Sequence, residues 1–224
     1  LRLPRLLLAA IIGAGLATCG VIMQAIVKNP LADPYILGIS AGASLGATSA
    51  VLLGIGAALG ENAVGIAAFL GAFAVSVGVL FIANIGGRAN AMKLLLGGMA
   101  LSAVCGAFSS FIVYFAQDKE GIQTITYWMM GSLAGAKWEH MAIIGGIVAL
   151  AVLFFWSQSR ILNLMLLGDA SAITLGTDLH PYRQGYLIVS SLVVGFAVFA
   201  AGMIGFVGLV VPHVVRMLVG TDHK

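Results

Sequence analysis

The chain has 224 residues, of which 61% are hydrophobic and only 8% charged, and its mean hydropathy is +1.09. Soluble domains carry roughly 25% charged residues, so this composition excludes a water-soluble fold and makes the bilayer the solvent for most of the chain. The net charge of +3 is small and scattered, which excludes a nucleic-acid footprint and leaves the basic residues as topology signals.

A membrane-spanning helix needs about 20 apolar residues. Six runs reach that length: Leu3–Val27, Ile36–Leu59, Ala63–Ile85, Leu94–Ala116, Trp138–Trp156 and Gly185–Phe206. They are too long for barrel strands and lack two-residue alternation, so the expected fold class is an all-α, polytopic transmembrane bundle. The first run opens at Leu1 without a charged leader or small-residue cleavage pattern, and no signal peptide is expected. Cys19 and Cys105 lie in apolar runs and read as buried free thiols. Gly38, Gly42 and Gly46 repeat at a spacing of four, as do Gly56/Gly60 and Gly131/Gly135, a pattern that lets helix backbones approach closely in lipid.

Lys28, Arg88, Lys93 and Arg160 fall in connections that share one side, whereas Glu61 and the cluster Asp118, Lys119, Glu120 fall in the alternate ones. The positive-inside rule places the first set in the cytoplasm. Arg2 and Arg5 then lie outside, against the simple charge count, which points to a function for them.

Three features interrupt the apolar runs. The segment Lys28-Asn29-Pro30-Leu31-Ala32-Asp33-Pro34 puts two prolines and charges at the end of a spanning helix. Proline removes backbone donors, and irregular backbone at membrane depth survives only inside protein or beside water, so a hinge lining a pathway competes here with a plain loop. The second break, Gly205 to Arg216, contains Pro212, with His213 and Arg216 as polar groups in an apolar stretch. The third, residues 160–183, is the longest polar interruption. Gly168-Asp169-Ala170-Ser171 reads as a turn with Asp169 as helix N-cap, flanked by two short amphipathic helices that would offer a cytoplasmic docking surface.

A gap-free shift of 182 residues aligns Gly13 with Gly195, Gly20 with Gly202, Ile22 with Ile204, Pro30 with Pro212 and Gly38 with Gly220. Four helices separate the copies, so they would run in opposite senses, as in the inverted repeats of transporters.

The sequence has no GxxxxGK[ST] phosphate loop and no HExxH. His140, His180, His213 and His223 form no ligand cluster; neither a metal nor another cofactor is expected. The acids lie at helix ends, which weakens a proton-coupled carrier. A secondary transporter or channel built on an inverted repeat is the alternative function, and an intramembrane enzyme lacks a nucleophile or metal cluster to carry it.

Several segments, taken in order along nearly the whole chain, resemble the FecCD-type permeases, the membrane subunits of type II ABC importers for iron-siderophores, haem and cobalamin. They are Leu1-Arg2-Leu3-Pro4-Arg5, Gly20 to Gln24, Asn29 to Pro34, Leu37 to Ala43, Tyr127 to Gly131, Leu167 to Ala172, Leu175-Gly176 and Gly205 to His213. The resemblance implies one permease domain over residues 1–224 that lacks the family's first helix and its last few, with cytoplasmic coupling helices at 161–176. It implies a bacterial or archaeal cytoplasmic membrane, a homodimer or a paired homologous permease, cytoplasmic ATPase subunits, and a periplasmic or lipid-anchored substrate-binding protein. It assigns Arg2 and Arg5 to docking of that binding protein. Leu164, Leu167, Gly168, Asp169, Ala172, Leu175 and Gly176 are assigned to ATPase coupling, and Asn29, Pro30, Leu31, Ala91 and Met92 to the cytoplasmic gate. The Ala-Met pair at the gate tilts the substrate away from cobalamin, and an iron-siderophore leads, with haem and cobalamin next.

Overall fold

The computed structural model describes residues 2–220; Leu1 of the first motif and His223 lie outside the described residues. The chain forms α1 (Arg2–Val27), α2 (Ile39–Leu53), α3 (Ala63–Asn84), α4 (Ala91–Phe115), α5 (Lys119–Met129), α6 (Trp138–Ser157), α7 (Ser159–Leu167), α8 (Asp169–Thr174), α9 (His180–Ala201) and α10 (Val207–Val219), with a 3₁₀ turn at Ala57–Asn62. No strand occurs among the described residues. Among the described residues five helices, α1, α3, α4, α6 and α9, are long and apolar enough to cross a membrane, whereas α2 and α10 are shorter. At 1.5 Å per residue the 15 residues of α2 and the 13 of α10 reach roughly 20 Å, about two thirds of a bilayer core.

The expected span Ile36–Leu59 is therefore a correction. Gly38 and Gly54 cap α2 in left-handed conformations, and Gly56 opens the 3₁₀ turn in another. Hydropathy counts these glycines as neutral, but a positive φ ends a helix. The last expected span also moves, from Gly185–Phe206 to His180–Ala201. Pro181 fits the first turn of α9, where its missing N–H costs nothing, and Gly202 stops it with φ 68°.

The glycine repeat joins helix to helix only on α2; of the other two pairs, Gly131 lies against the Met203 backbone but in a connection. A Cβ on Gly42 or Gly46 would collide with backbone of α3 at Gly71 or Ala67, so these two helices touch backbone to backbone. Gly56 and Gly60 instead lie in a turn, and Gly131 takes a positive φ in the α5–α6 connection, where no helix face exists for them to line.

Salt bridges sort the ends of the bundle. At one end Lys137 meets Glu61 at 2.6 Å and Arg5 donates to the Ala134 carbonyl at 3.4 Å. At the other, Arg88 meets Asp178 at 2.8 Å and Arg183 meets Asp169 at 2.6 Å. Lys28, Lys93 and Arg160 join this second end, as the charge pattern requires, and it is the cytoplasmic end by the positive-inside rule.

Two long helices, α1 and α9, are each followed by an irregular segment and a short helix. A Cβ built on Gly208, at the start of α10, would meet both Pro34 and the Leu16 carbonyl, and Gly20 abuts the Gly208 carbonyl. Leu16 lies midway along α1, so both irregular segments re-enter the bundle to about half its depth, one from each end. This is the inverted repeat, but the gap-free 182-residue pairing does not describe it. Gly20 lies within α1 while Gly202 caps α9, and Gly38 precedes α2 while Gly220 follows α10. The first irregular segment, 28–38, is longer than the second, 202–206, and a fixed shift cannot follow both.

Candidate functional site

The first re-entrant segment keeps its backbone satisfied, as an irregular chain inside lipid must when each orphan group costs several kcal/mol. Gln24, fully buried on α1, donates its side-chain N–H to the Ala32 carbonyl at 3.2 Å. Asn29 Oδ1 accepts from the Leu31 N–H and Asp33 Oδ1 from the Tyr35 N–H, each at 2.9 Å, turn contacts typical of Asn and Asp. Further turns run from Ala32 N to Asn29 O, Ile36 N to Asp33 O and Gly38 N to Tyr35 O. The Asp33 carboxylate also faces the backbone N–H of Phe206 in the second segment. Between the two segments lies a cavity of about 410 Å³ lined by Asp33, Tyr35, Ser40, Met129, Met203 and Phe206.

At the end that carries Arg88 and Arg183, residues 160–183 fold as two short helices around a sharp turn. Asp169 is not the N-cap expected for it: Gly168 holds that position with φ 101° and ψ 163°, backbone open almost only to glycine. Asp169 is thereby freed to turn inward, where it accepts from Arg183 at 2.6 Å and lies 3.8 Å from Lys28.

The residues assigned to coupling divide by exposure. Leu167 and Leu175 are each 63% exposed and Gly176 is exposed; Leu164, Gly168 and Asp169 are half-buried; Ala172 is fully buried and supports the turn from within. Leu166 and Ile173 are exposed beside them, two positions that residue type alone does not separate from core leucines and isoleucines. The result is an apolar knob beyond the ends of the spanning helices.

Asn29, Pro30 and Leu31 are exposed at the same end, just past α1, and Met92 is exposed in the first turn of α4 beside half-buried Ala91. Asn90 caps that turn by accepting from the Lys93 N–H at 2.9 Å. Arg2 and Arg5 are exposed one turn apart on the outer end of α1. The pathway and coupling candidates thus share one end of the bundle, and the docking candidates lie at the other. Arg183, buried to 3% exposure in the first turn of α9, is the functional candidate that sequence reading missed. An arginine at a helix start reads as a surface charge until its partners, 14 and 94 residues away, are seen. Among the described residues no group of three or more His, Cys, Asp or Glu could hold a metal.

A bundle of spanning helices with two re-entrant breaks and an apolar knob on one polar end defines a multi-pass membrane protein of the permease type. The chain belongs to the FecCD transport family, whose profile matches residues 1–224. It is similar to the hemin transport system permease protein HmuU of Yersinia pestis, at 39% identity over all of this chain and 67% of that protein. It is likewise similar to the cobalamin import system permease protein BtuC of Halobacterium salinarum, at 39% over all of this chain and 59% of that protein. A solved inward-facing conformation of a metal-chelate type ABC transporter superposes with a TM-score of 0.88 at 35% identity, covering all of this chain and 70% of that one. The chain thus spans 59% to 70% of the length of these relatives.

Proposed function

We propose that this chain is the membrane-spanning permease part of an ATP-driven importer for a metal chelate in the cytoplasmic membrane, with ATP hydrolysed on a separate subunit. The observation that carries this is the exposed apolar knob of Leu166, Leu167, Ile173 and Leu175 on the cytoplasmic end. Apolar side chains held outside the lipid, on a rigid pair of helices, ask for a protein partner. A partner that changes shape on ATP binding could move them, and the spanning helices with them. The irregular segments 28–38 and 202–206, ahead of α2 and α10, supply non-helical backbone where a pathway can open.

Further readings follow from the same site. Arg2 and Arg5 dock a substrate-binding protein from outside, through charge-assisted pairs that set register and encounter rate. A stripe on the second half of α4 (Val104, Phe108 and Phe111, spaced four and three residues apart) is exposed in the single chain and fits pairing with a second permease. Asn29, Pro30 and Leu31, with Ala91 and Met92, form the inner gate. The substrate is a ferric siderophore, haem or cobalamin; the siderophore leads on the breadth of the family, and the named relatives favour the other two.

The test is uptake into proteoliposomes holding the full transporter, with binding protein and ATPase, challenged with ferric siderophores, haem and cobalamin. ATP-dependent accumulation of one chelate supports the proposal. Uptake that ignores ATP but collapses with an ion gradient would favour a secondary transporter.

A further inference from the structure

We propose that Arg183 is a positioning residue that ties the α7–α8 turn to both segments of the inner gate, and that Asp169 serves this internal tie rather than a partner surface. The inference rests on the permease reading above. Its basis is a buried charge and what surrounds it. Arg183 is 3% exposed, and a guanidinium removed from water must find charge and hydrogen-bond partners or destabilise the fold. Its Nη2 donates to Asp169 Oδ1 at 2.6 Å and its Nη1 to the Ala89 carbonyl at 3.2 Å.

These partners belong to different moving parts. Asp169 is the first residue of α8, immediately after the Gly168 turn. Ala89 lies in the α3–α4 connection, two residues before Ala91, and is itself buried. The same Asp169 oxygen lies 3.8 Å from Lys28 Nζ, and Lys28 directly precedes Asn29. Lys28 takes φ 55°, unusual for a residue with a side chain, and its ammonium group lies 3.1 Å from where a Cβ on Gly168 would sit. One carboxylate and one guanidinium therefore join the knob, the end of α1 and the start of α4.

Geometry gives the tie a direction. Arg183 sits in the first turn of α9, which continues across the membrane to the second re-entrant segment. A push on Leu167 or Leu175 displaces α8 and carries Asp169 with it. Asp169 cannot leave Arg183 without stranding a buried cation, so α9, the Ala89 loop and Lys28 follow. Surface ion pairs transmit little force because water replaces either partner; a pair with one member buried does not yield so easily.

The experiment compares Arg183→Met, Arg183→Lys and Asp169→Asn in the full transporter, reading ATPase co-purification, ATP hydrolysis and chelate taken up per ATP. The expected result is normal co-purification and hydrolysis within about threefold of wild type. Uptake per ATP falls at least tenfold in Arg183→Met and Asp169→Asn and recovers partly in Arg183→Lys, which keeps the charge but not the planar fork that reaches both partners. Unchanged uptake per ATP in Arg183→Met or Asp169→Asn overturns the tie. Loss of the ATPase from Asp169→Asn also overturns it, and would return Asp169 to the partner surface. Should either single variant fail to fold, as judged by size-exclusion profile, the paired variant Arg183→Met with Asp169→Asn decides, since it removes the tie without leaving the buried charge uncompensated. Wild-type uptake that needs no ATP would sink the permease reading itself, an outcome separate from failure of the tie.

Discussion

Gly20 on α1 packs directly against the carbonyl of Gly208 on α10, and a side chain at position 20 would collide with that carbonyl oxygen and its neighbouring carbon atoms. Backbone cannot rotate out of the way as a side chain can, so the two re-entrant halves of the bundle meet through this contact. Gly20→Val is expected to lower the thermal midpoint of the detergent-solubilised protein strongly, beyond the ~1–3 kcal/mol typical of overpacking. Gly13→Ala, where the added methyl meets nothing, is expected to leave it unchanged. Fluorescence-detected size-exclusion melting distinguishes the two.

Reversing the outer charges tests docking. Arg2→Glu with Arg5→Glu is expected to cut the association rate of the substrate-binding protein at least tenfold at low salt, with a smaller effect at high salt, because exposed charges steer encounter and are screened within roughly 10 Å at 0.1 M. Surface plasmon resonance at two salt concentrations measures this.

The Glu61–Lys137 bridge ties the 3₁₀ turn to the start of α6 at the outer rim. The hydrogen-bonded Lys137 ammonium holds the Glu61 carboxyl below the usual carboxylate range, and Glu61 in turn raises Lys137. A depressed carboxylate contributes above its unfolded pKa and ceases to contribute as pH falls through its folded value. The melting difference between wild type and Lys137→Met should therefore be present at neutral pH and vanish in acid below the ordinary glutamate range. Both groups are exposed, so the difference should be small and reduced by salt.

Pairing through α4 predicts proximity of its exposed stripe across two copies. With Cys19 and Cys105 replaced by alanine, Val104→Cys or Phe108→Cys, one turn apart on the same face of α4, should give disulfide-linked dimers on mild oxidation, whereas Ile143→Cys on α6 should not. Equal yields from all three would remove the stripe from the interface.

Much of this architecture was legible because hydropathy reports length directly: α1, α3, α4 and α6 fall close to their expected runs. The polar interruption at 160–183 likewise announced two short helices. What misled was glycine. Gly38, Gly54 and Gly56 break an apolar run that hydropathy treats as continuous, and Gly168 displaced Asp169 from the cap position. The short helix α5 went unread although Asp118 caps it by accepting from the Gly121 N–H at 3.0 Å, a signal visible in Asp-Lys-Glu-Gly once sought. The Arg183 tie was invisible for a different reason, since its meaning depends on partners that only the folded chain brings together.

The most direct test of the central claim places single cysteines at Leu167 and Leu175 in the assembled transporter. A membrane-impermeant thiol reagent should label them only from the cytoplasmic side, and a short bifunctional cross-linker should join them to the ATPase subunit, with yield changing on ATP binding. Labelling from the exterior, or no cross-link in a complex that still hydrolyses ATP and transports, would contradict the assignment of this knob as the point where the ATPase acts.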